Sequence, residues 1–597
     1  MARLELPQVK KRLRTADGAD SAEARERMLG RLELLYGRES AGGVLEEIVQ
    51  LVAKLRQSAG AKRGAPTEAP WSERDALLIT YGDSVLDPPK APLAALERFL
   101  REEVGDSLPF VHLLPFYPYS SDDGFAVMDF RKVNPELGSW NDVERLSRDY
   151  RLVFDGVINH VSASSVYMKG YAGADAKYDD FFIEPPADAD TSTVLRTRNL
   201  PLFHEYETAR GRKRLWTTFG PDMVDLNYAN PRVLLEILDV LLSYAERGAA
   251  VIRLDAIPYL WKRLGTSCAH LPQTHEIIKL IRDAFDLAFP EVLLLTETNA
   301  PHHENLSYFG DRGDEAQMIY NFTLAPLVLF ALTTGDGTKL TQWARTIEKV
   351  SDHATYLNVT ATHDGIGMRP TEGILSEAER AFLCDLAYAH AGTVSGKRNP
   401  DGTLSPYELN LNYFDAVNNP NRPEPAEVEV ARFMVSQAIA LAFLGIPGVY
   451  IHSLVGSRND TEAVRASGIA RRINRAKMNL GELRSEIADA ATIRARVFRE
   501  YKRLLDLRCR EKAFHPNARQ EVLDLGSSVF AIRRRSDSGE TVAALNNLTS
   551  ATVSIGMESL TAGAAWRDIL SEDKSEREGH GFFRLRPYQV AWLRHGR

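Results

Sequence analysis

Residues 251–259 read VIRLDAIPY, an apolar run of the kind that forms a buried strand, yet the run contains Arg253 and Asp255. Side chains alternate between the two faces of a strand, so these two charged side chains point the same way. The apolar residues next to them point the other way. The stretch therefore predicts a buried strand that carries a charged pair on one face.

Eight short apolar runs of this kind alternate along the chain with longer amphipathic stretches. They lie at 76–82, 110–116, 151–160, 249–256, 291–298, 316–322, 355–364 and 445–453. The stretch between the third and fourth runs ends in NPRVLLEILDVLLSYAERG, which has apolar residues at helical spacing. Strand–helix alternation predicts parallel strands with crossover helices, and eight such units predict an α/β fold, the (β/α)8 TIM barrel.

The chain extends beyond the barrel on both sides and within two of its loops. The two longest intervals between runs predict loop-inserted subdomains at about 161–225 and 365–425, over the same end of the barrel. An N-terminal helical pattern is followed by a linker-like stretch at 58–72. Short alternating runs near the end predict antiparallel strands. We predict an N-terminal helical extension and linker, the barrel, and a C-terminal antiparallel β domain at 1–75, 76–510 and 511–597.

Composition, charge and cysteine spacing argue against several classes of protein. The 597 residues are 44% hydrophobic and 26% charged, as in soluble globular proteins, and the formal net charge is −8. This acidic balance disfavours a nucleic-acid or anionic-membrane partner. Cys268, Cys384 and Cys509 fit no metal-ligand spacing, and neither a signal peptide nor a membrane span is recognisable. We expect a cytoplasmic protein.

Polar side chains follow four of the predicted strands, at the end where this barrel builds its active sites. They are Asp155, Asn159 and His160, Arg253 and Asp255, Glu297, and His363 with Asp364. Any one of them could be a helix cap or an ordinary ion-pair partner. Together, without a Ser or Cys nucleophile motif, they suit glycosyl transfer, in which one carboxylate attacks the anomeric carbon and another moves the proton. Arg253 would keep Asp255 ionised and oriented.

Four motifs within this set resemble the signature regions of the α-amylase superfamily, glycoside hydrolase family 13. They read DGVINH, VIRLDAIPY, LLLTETN and TATHDGIGMRP. The resemblance implies Asp255 as nucleophile, Glu297 as general acid/base, and Asp364 as the carboxylate that stabilises an oxocarbenium-like transition state, with retention of the α configuration. The other residues that it places around the same glucosyl unit are His160, Arg253 and His363.

Longer runs, from about residue 76 to the end, resemble sucrose phosphorylases and their glucosylglycerate and glucosylglycerol phosphorylase relatives. Among these runs are HLLPFYPYSSDDGFAVMD, GTSCAHLPQTHEIIKLIRDAF and SPYELNLNYFDA. The resemblance implies that Asp122 and Arg471 hold the far hydroxyls of a single glucosyl unit. It also implies an apolar and aromatic wall at the reacting carbon, made of Phe125, Phe219 and Tyr259.

A phosphorylase needs a cation for phosphate on the acceptor side of the reacting carbon. Arg198 in RTRNLP resembles the phosphate-contacting arginine of the family, and Tyr407 in SPYE resembles an acceptor-site residue. Arg369 could hold an anionic acceptor such as glycerate or a sugar phosphate, or could form an ordinary surface ion pair. The acceptor stays open, because SPYEL matches the glucosylglycerate-type relatives whereas His204 is closer to the sucrose enzymes.

These observations predict a retaining α-glucoside phosphorylase of the sucrose phosphorylase type. It would convert an α-glucoside and inorganic phosphate into α-glucose 1-phosphate and the acceptor, through a covalent glucosyl-enzyme. The alternative is a hydrolase or transglucosidase of the same superfamily. A non-catalytic binding protein is disfavoured because all three carboxylates are present. Asn159 alone is no calcium ligand set, so we expect no metal and no organic cofactor, and we consider a homodimer possible.

Overall fold

The barrel predicted from the eight apolar runs forms the centre of the protein. The computed structural model describes residues 18–59, 71–399, 401–556, 558, 560, 566–571 and 581–595. Eight parallel strands close the barrel. They are β1 (Leu77–Thr80), β2 (Phe110–Leu113), β3 (Arg151–Gly156), β4 (Ala249–Leu254), β5 (Leu293–Thr296), β6 (Met318–Asn321), β7 (Thr355–Val359) and β8 (Ile446–Tyr450). Each strand lies inside one of the eight runs, so the TIM-barrel prediction is confirmed.

Pairing of the first strand with the last closes the barrel. In β1, Ile79 pairs with His112 of β2 on one side and with Tyr450 of β8 on the other. Helices surround the strands. They are Pro92–Phe99, Trp140–Asp149, Pro231–Glu246, Pro272–Ala288, His302–Leu306, Leu324–Thr334, Thr338–Ala344, Ala426–Ala442 and Ile493–Arg508. Several begin with proline, whose fixed φ suits the first helical position, where no N–H partner is needed.

Two N-terminal helices, α1 (Gly18–Tyr36) and α2 (Arg38–Ala59), pack against the outer helices Pro231–Glu246 and Pro272–Ala288. The contact contains buried apolar side chains and a cluster of ion pairs. Arg31 reaches three carboxylates at 2.9–3.0 Å, those of Glu276, Asp283 and Asp314. This charge pairing ties the extension to the barrel wall. Most of the predicted linker at 58–72 lies outside the described residues.

Both long loops at the carboxyl ends of β3 and β7 carry secondary structure of their own. The first contains strands His160–Ser162, Phe203–Thr208, Gly211–Trp216 and Met223–Asp225, and helix Val166–Ala172. The second contains strands Ile366–Gly367, Thr393–Arg398 and Leu404–Asn410, and helices Glu377–Ala389 and Tyr413–Val417. Because they follow strands of one parallel barrel, the two insertions lie over the same end of it.

A separate antiparallel sheet follows the barrel, as predicted. Its five strands, in spatial order, are Arg519–Leu523, Val529–Arg535, Thr541–Asn547, Val590–His595 and Trp566–Asp568. A two-stranded sheet pairs Val553–Gly556 with Phe582–Leu585, and another pairs Val85–Leu86 with Met478–Asn479. Helices Ile451–Leu454, Thr461–Ser467 and Leu480–Ala488 lie between β8 and the last barrel helix. None of the helices in the described part of the chain is long and apolar enough to cross a membrane.

Candidate active site

The carboxyl ends of the barrel strands and the two insertions surround a cavity that, with the solvent space at its mouth, has a volume of about 750 Å³. Most residues that the sequence singled out line it. They are Asp122, Phe125, His160, Arg198, Phe219, Asp255, Tyr259, Glu297, His363, Asp364, Tyr407 and Arg471. The structure places two others, Arg253 and Arg369, behind its wall. The tertiary fold thus brings together residues that are up to 349 positions apart in the chain.

Two of the three carboxylates follow their strands directly. Asp255 is the first residue after β4, and Glu297 is the first after β5. Ala256, next to Asp255, has φ 49° and ψ 32°, a left-handed conformation that is unfavourable for residues with a Cβ atom. The backbone N–H of Ala256 donates to Oε2 of Glu297 at 3.2 Å. A strained turn at the end of β4 therefore links the two carboxylates.

Arg253 is buried between two carboxylates, which answers why the strand carries a charged pair. Its Nη1 lies 2.9 Å from Oδ1 of Asp255 and also donates to Asp155. Asp155 in turn is hydrogen-bonded to Nε2 of His112 at 2.7 Å. Asp155 is completely buried and is absent from the cavity lining within the described residues. It therefore orients Arg253, which orients Asp255.

The three carboxyl groups differ in acidity. Burial raises the pKa of Asp255, and Arg253 opposes this rise without cancelling it. Burial also raises the pKa of Glu297. At Asp364 the effect of burial is outweighed by Arg471 and neighbouring cations, which hold its pKa below the ordinary value. The site therefore keeps a proton on the Asp255–Glu297 pair more readily than on Asp364, as proton transfer by one of that pair requires.

The far end of the cavity is closed by an ion-pair network. Nη1 of Arg471 lies 2.7 Å from Oδ1 of Asp364. Arg475 contacts Oδ1 of Asp122 at 3.3 Å and Oδ1 of Asp364 at 3.4 Å. The sequence analysis did not assign Arg475, although it follows Arg471 by only four residues. These contacts hold Asp122 and Asp364 as fixed acceptors for sugar hydroxyls.

The loop that carries Asp122 is bent sharply toward the cavity. Asp122 and Asp123 have φ values of 49° and 48°, in the left-handed region. Gly124 follows with φ 118°, and a Cβ atom there would lie 2.6 Å from the carbonyl oxygen of Pro115. Only glycine fits this approach, so the DDG sequence fixes the direction in which Asp122 points.

Aromatic rings line the cavity near the carboxylates. Phe125 and His363 stack with ring centroids 4.9 Å apart and planes 5° apart. Phe219 lies edge-on to Tyr259 at 5.7 Å and contacts His160 at 5.2 Å. His160 also lies 3.1 Å from the carbonyl oxygen of Phe125 through Nε2. Burial lowers the pKa of both histidines, so they are neutral hydrogen-bonding groups at neutral pH.

The two insertions meet on the side of the cavity that faces solvent. The guanidinium carbon of Arg198, from the first insertion, lies 5.5 Å from the ring centre of Tyr407 on the second insertion. It lies 5.6 Å from the ring centre of Phe219. Its side chain donates to the carbonyl oxygen of Thr197 at 3.5 Å. Within the described residues no carboxylate pairs with Arg198. Its guanidinium is held by aromatic faces and is available to an anion.

Arg369 lies in neither of the two places considered from sequence, the surface and the acceptor side of the cavity. It is 5% exposed, so it is no surface residue, and it does not line the cavity in the described structure. Nη1 donates to the carbonyl oxygen of Asn299 at 3.2 Å, and Nη2 lies 3.4 Å from Oε2 of Glu304. His270 completes the group at 3.2 Å from the same oxygen. Arg369 thus forms a buried ion pair behind Tyr259 and Tyr407.

Next to Asn159 the structure has a buried lysine. Nζ of Lys262 lies 2.8 Å from Oδ1 of Asn159 and 2.5 Å from Oδ2 of Asp225. Asp225 also accepts hydrogen bonds from the backbone and hydroxyl of Thr218. These contacts hold the segment that carries Phe219. Among the described residues, no three His, Cys, Asp or Glu side chains are grouped to hold a metal ion.

Several lining residues were not assigned from sequence. Those with larger side chains are Met223, Pro258, Asn299, Phe322 and Glu408. Asn299 lies in the motif LLLTETN and Glu408 in SPYEL, so the sequence contained a signal for both. Phe322 follows β6 and resembles an ordinary core residue in sequence. Only the closure of the barrel reveals it as part of the cavity.

Comparison with known proteins identifies the group to which this site belongs. Residues 108–366 match the family model described as Alpha amylase, catalytic domain. The chain is 44% identical to glucosylglycerate phosphorylase of Allomeiothermus silvanus, over 96% of this chain and 99% of the relative. It is 39% identical to glucosylglycerate phosphorylase of Escherichia coli, over 94% of this chain and 99% of the relative.

Among solved structures, the fold is similar to sucrose 6F-phosphate phosphorylase from Thermoanaerobacter thermosaccharolyticum. The TM-score is 0.69 at 24% identity, and the match covers 82% of this chain and 96% of the other. The structural likeness supports the fold, and the near-full-length identity to the two curated relatives supports the family. The chain therefore belongs to the α-amylase family and, within it, to the phosphorylases of the sucrose phosphorylase type.

Proposed function

We propose that the protein is a glucosylglycerate phosphorylase, which converts α-glucosylglycerate and inorganic phosphate into α-glucose 1-phosphate and glycerate. The observation that carries this proposal is the position of Arg198, a cation held by two aromatic rings on the acceptor side of a cavity with three carboxylates. The leaving group and the incoming nucleophile are both anions in this reaction. The 44% identity to a glucosylglycerate phosphorylase supports glycerate as the acceptor.

In the first step, a carboxylate oxygen of Asp255 attacks the anomeric carbon of the glucosyl unit. The bond from this carbon to the glycerate oxygen breaks, and Glu297 gives its proton to that oxygen. The raised pKa of Glu297 supports its role as the acid. Arg253 orients Asp255 for the attack. The products are a covalent glucosyl-Asp255 and free glycerate.

In the second step, a phosphate oxygen attacks the same carbon from the side that glycerate has left. The bond to Asp255 breaks, and Glu297 takes the proton of the incoming phosphate. Two inversions at one carbon retain the α configuration. Arg198 would hold the carboxylate of glycerate in the first step and phosphate in the second, since both anions suit a guanidinium.

The residues on the glucose side hold the sugar in both steps. Asp122 and Asp364 would accept hydrogen bonds from hydroxyls, with Arg471 beside them. Phe125, Phe219 and Tyr259 would place aromatic faces near the positive charge that develops at the anomeric carbon. Asp364, kept ionised by the adjacent guanidinium groups, would stabilise the same charge electrostatically.

A panel of substrates tests this proposal. Glucosylglycerate, sucrose, sucrose 6′-phosphate and glucosylglycerol are each incubated with and without phosphate, and both glucose 1-phosphate and glucose are measured. We expect phosphate-dependent release of glucose 1-phosphate, fastest from glucosylglycerate. The Asp255→Asn variant is the control and should release neither product. Equal release of free glucose without phosphate would show that the protein is a hydrolase. Faster release from another glucoside would show that glycerate is not the preferred acceptor.

We propose further that the protein works in the cytoplasm, which the three free cysteines Cys268, Cys384 and Cys509 support. We also propose a homodimer. The exposed apolar side chains of Phe382 and Tyr388, on the inserted helix Glu377–Ala389, support an interface there. Sedimentation velocity of the wild-type chain and of a Phe382→Ser/Tyr388→Ser variant tests this. A monomer for the wild type would contradict it.

A further inference from the structure

Two consecutive residues of one strand, Tyr407 and Glu408, both reach the cavity. In a regular strand they would point to opposite faces. The pairing with the neighbouring strand explains the exception: Ser395 pairs with Glu408 and Gly396 pairs with Pro406, so Tyr407 is an extra residue in a β-bulge. Bulges redirect side chains next to functional sites. This one turns both side chains toward the cavity, one to each end.

Glu408 forms a bidentate ion pair with Arg471. Nε of Arg471 donates to Oε1 at 2.9 Å, and Nη2 donates to Oε2 at 2.9 Å. The side chain of Glu408 is 3% exposed. The remaining terminal nitrogen of Arg471, Nη1, lies 2.7 Å from Asp364. Glu408 therefore occupies the Nε–Nη2 edge of this guanidinium, one of the two edges that present parallel N–H groups, while Asp364 contacts Nη1 at the other edge.

An edge with two parallel N–H groups binds phosphate well. Parallel N–H donors match two oxygens of a carboxylate or a phosphate. The cavity contains a second guanidinium, that of Arg198, which the described carboxylates leave unpaired. If both guanidinium groups were open, phosphate would bind the free protein at either end of the cavity. Phosphate on Arg471 would occupy the place of the glucosyl unit.

We propose that Glu408 is a positioning and specificity-determining residue that reserves Arg471 for the sugar. It holds the guanidinium toward Asp364 and Asp122 and covers the Nε–Nη2 edge, so that phosphate is bound on the acceptor side by Arg198. Glu408 lies on the strand that carries Tyr407. One inserted strand therefore supplies Tyr407 to the acceptor side and the carboxylate that pairs with Arg471 to the glucose side. This inference rests on the proposed function for its role in catalysis, but its binding consequence can be measured separately.

The first test is titration of phosphate into the free protein by calorimetry. We expect Glu408→Gln to bind phosphate at least tenfold more tightly than the wild type, because the substitution removes the competing carboxylate. The double variant Glu408→Gln/Arg471→Gln should lose this gain. The matched control is Glu429→Gln, which removes an equally buried carboxylate paired with Arg458 at 2.5 Å, outside the cavity lining in the described structure. It should bind phosphate as the wild type does.

The second test is kinetic. In Glu408→Gln, phosphate should become an inhibitor competitive with the glucoside, and the KM for the glucoside should rise at least tenfold, with a smaller change in kcat. If Glu408 had only a structural role, the variant would show neither inhibition by phosphate nor a change in KM that exceeds the change in kcat. Unchanged phosphate affinity together with an unchanged KM in the folded Glu408→Gln protein would overturn the proposal.

A conservative variant keeps the proposal testable if Glu408→Gln does not fold. Glu408→Asp retains the charge but is one methylene too short to meet both nitrogens, so we expect phosphate affinity between those of wild type and Glu408→Gln. Affinity equal to that of the wild type would contradict the proposal. If the wild type released no glucose 1-phosphate, the proposed function would fail, whereas the phosphate titrations would still decide the role of Glu408.

Discussion

The two sides of the cavity are built in different ways. On the glucose side, the charged groups are paired with one another: Arg471 and Arg475 contact Asp364, and Arg475 contacts Asp122. On the acceptor side, Arg198 is held by aromatic faces and, within the described residues, by no carboxylate. The glucose side begins at ends of barrel strands, whereas the acceptor side is formed by the two insertions.

This difference corresponds to the two parts of the substrate, the glucosyl unit that stays bound and the acceptor that is exchanged. The glucosyl unit is neutral and is present in both half-reactions, so a rigid set of compensated charges suits it. The acceptor side must release one anion and bind another, so a cation that is not paired with a carboxylate suits it. Acceptor choice can then change through the insertions without disturbing the barrel.

The largest expected effect comes from removing the proposed nucleophile, which both sides need. Asp255→Asn should lower kcat by about 10⁴-fold or more for every glucoside, because no covalent intermediate forms. Initial rates of glucose 1-phosphate release measure this. The thermal unfolding curve of the variant confirms that it is folded. Retention of a tenth of the activity would exclude Asp255 as nucleophile.

Removing the cation of the acceptor side should impair the reaction with phosphate more than the binding of the glucosyl unit. Arg198→Gln should lower kcat/KM for phosphate by about 100-fold, since an anion loses its charged partner, and free glucose should become a larger share of the products. The ratio of glucose 1-phosphate to glucose measures the change. Arg196→Gln is the control, because Arg196 belongs to the same loop but contacts the carbonyl oxygen of Leu200. An equal effect of both substitutions would remove the special role of Arg198.

Removing a carboxylate of the glucose side should lower kcat/KM by the same factor for all glucosides. Asp122→Asn should lower kcat/KM by about 10- to 100-fold for each glucoside, because a charged hydrogen-bond acceptor for a common hydroxyl is lost. The ratio between glucosylglycerate and sucrose should stay the same. Tyr407→Ala, on the acceptor side, should change that ratio. If Asp122→Asn changed the ratio as much as Tyr407→Ala does, the two sides would not be independent.

The smallest expected effect is on stability and follows from the raised pKa of Glu297. A carboxyl group whose pKa is higher in the folded than in the unfolded protein favours folding at low pH, and this contribution is lost as pH rises through the folded value. Glu297→Gln removes the charge and should raise Tm by about 2 °C at pH 8, with little change near pH 4. Differential scanning calorimetry across this range measures it. The opposite pH trend would show that Glu297 has a lowered pKa.

The strands and the proposed chemistry were predictable because each depends on local patterns. Apolar runs bounded by turns identified all eight barrel strands, and the polar residues after them included the three carboxylates of the cavity. The role of Arg369 was not predictable. In sequence it stands beside the acceptor loop, yet its partners Asn299 and Glu304 come from another part of the barrel.

Sequence by itself determined the barrel, the antiparallel C-terminal sheet and the identities of the charged groups, because burial periodicity and motif chemistry are properties of neighbouring residues. Tertiary structure alone decided how those charges pair. Asp155 neutralises part of Arg253, Lys262 lies between Asn159 and Asp225, and Glu408 covers Arg471. Each pair joins segments far apart in the chain. The physical reason is that a buried charge must find its partner in space, and closure of the barrel and insertion of its loops determine which partners are near.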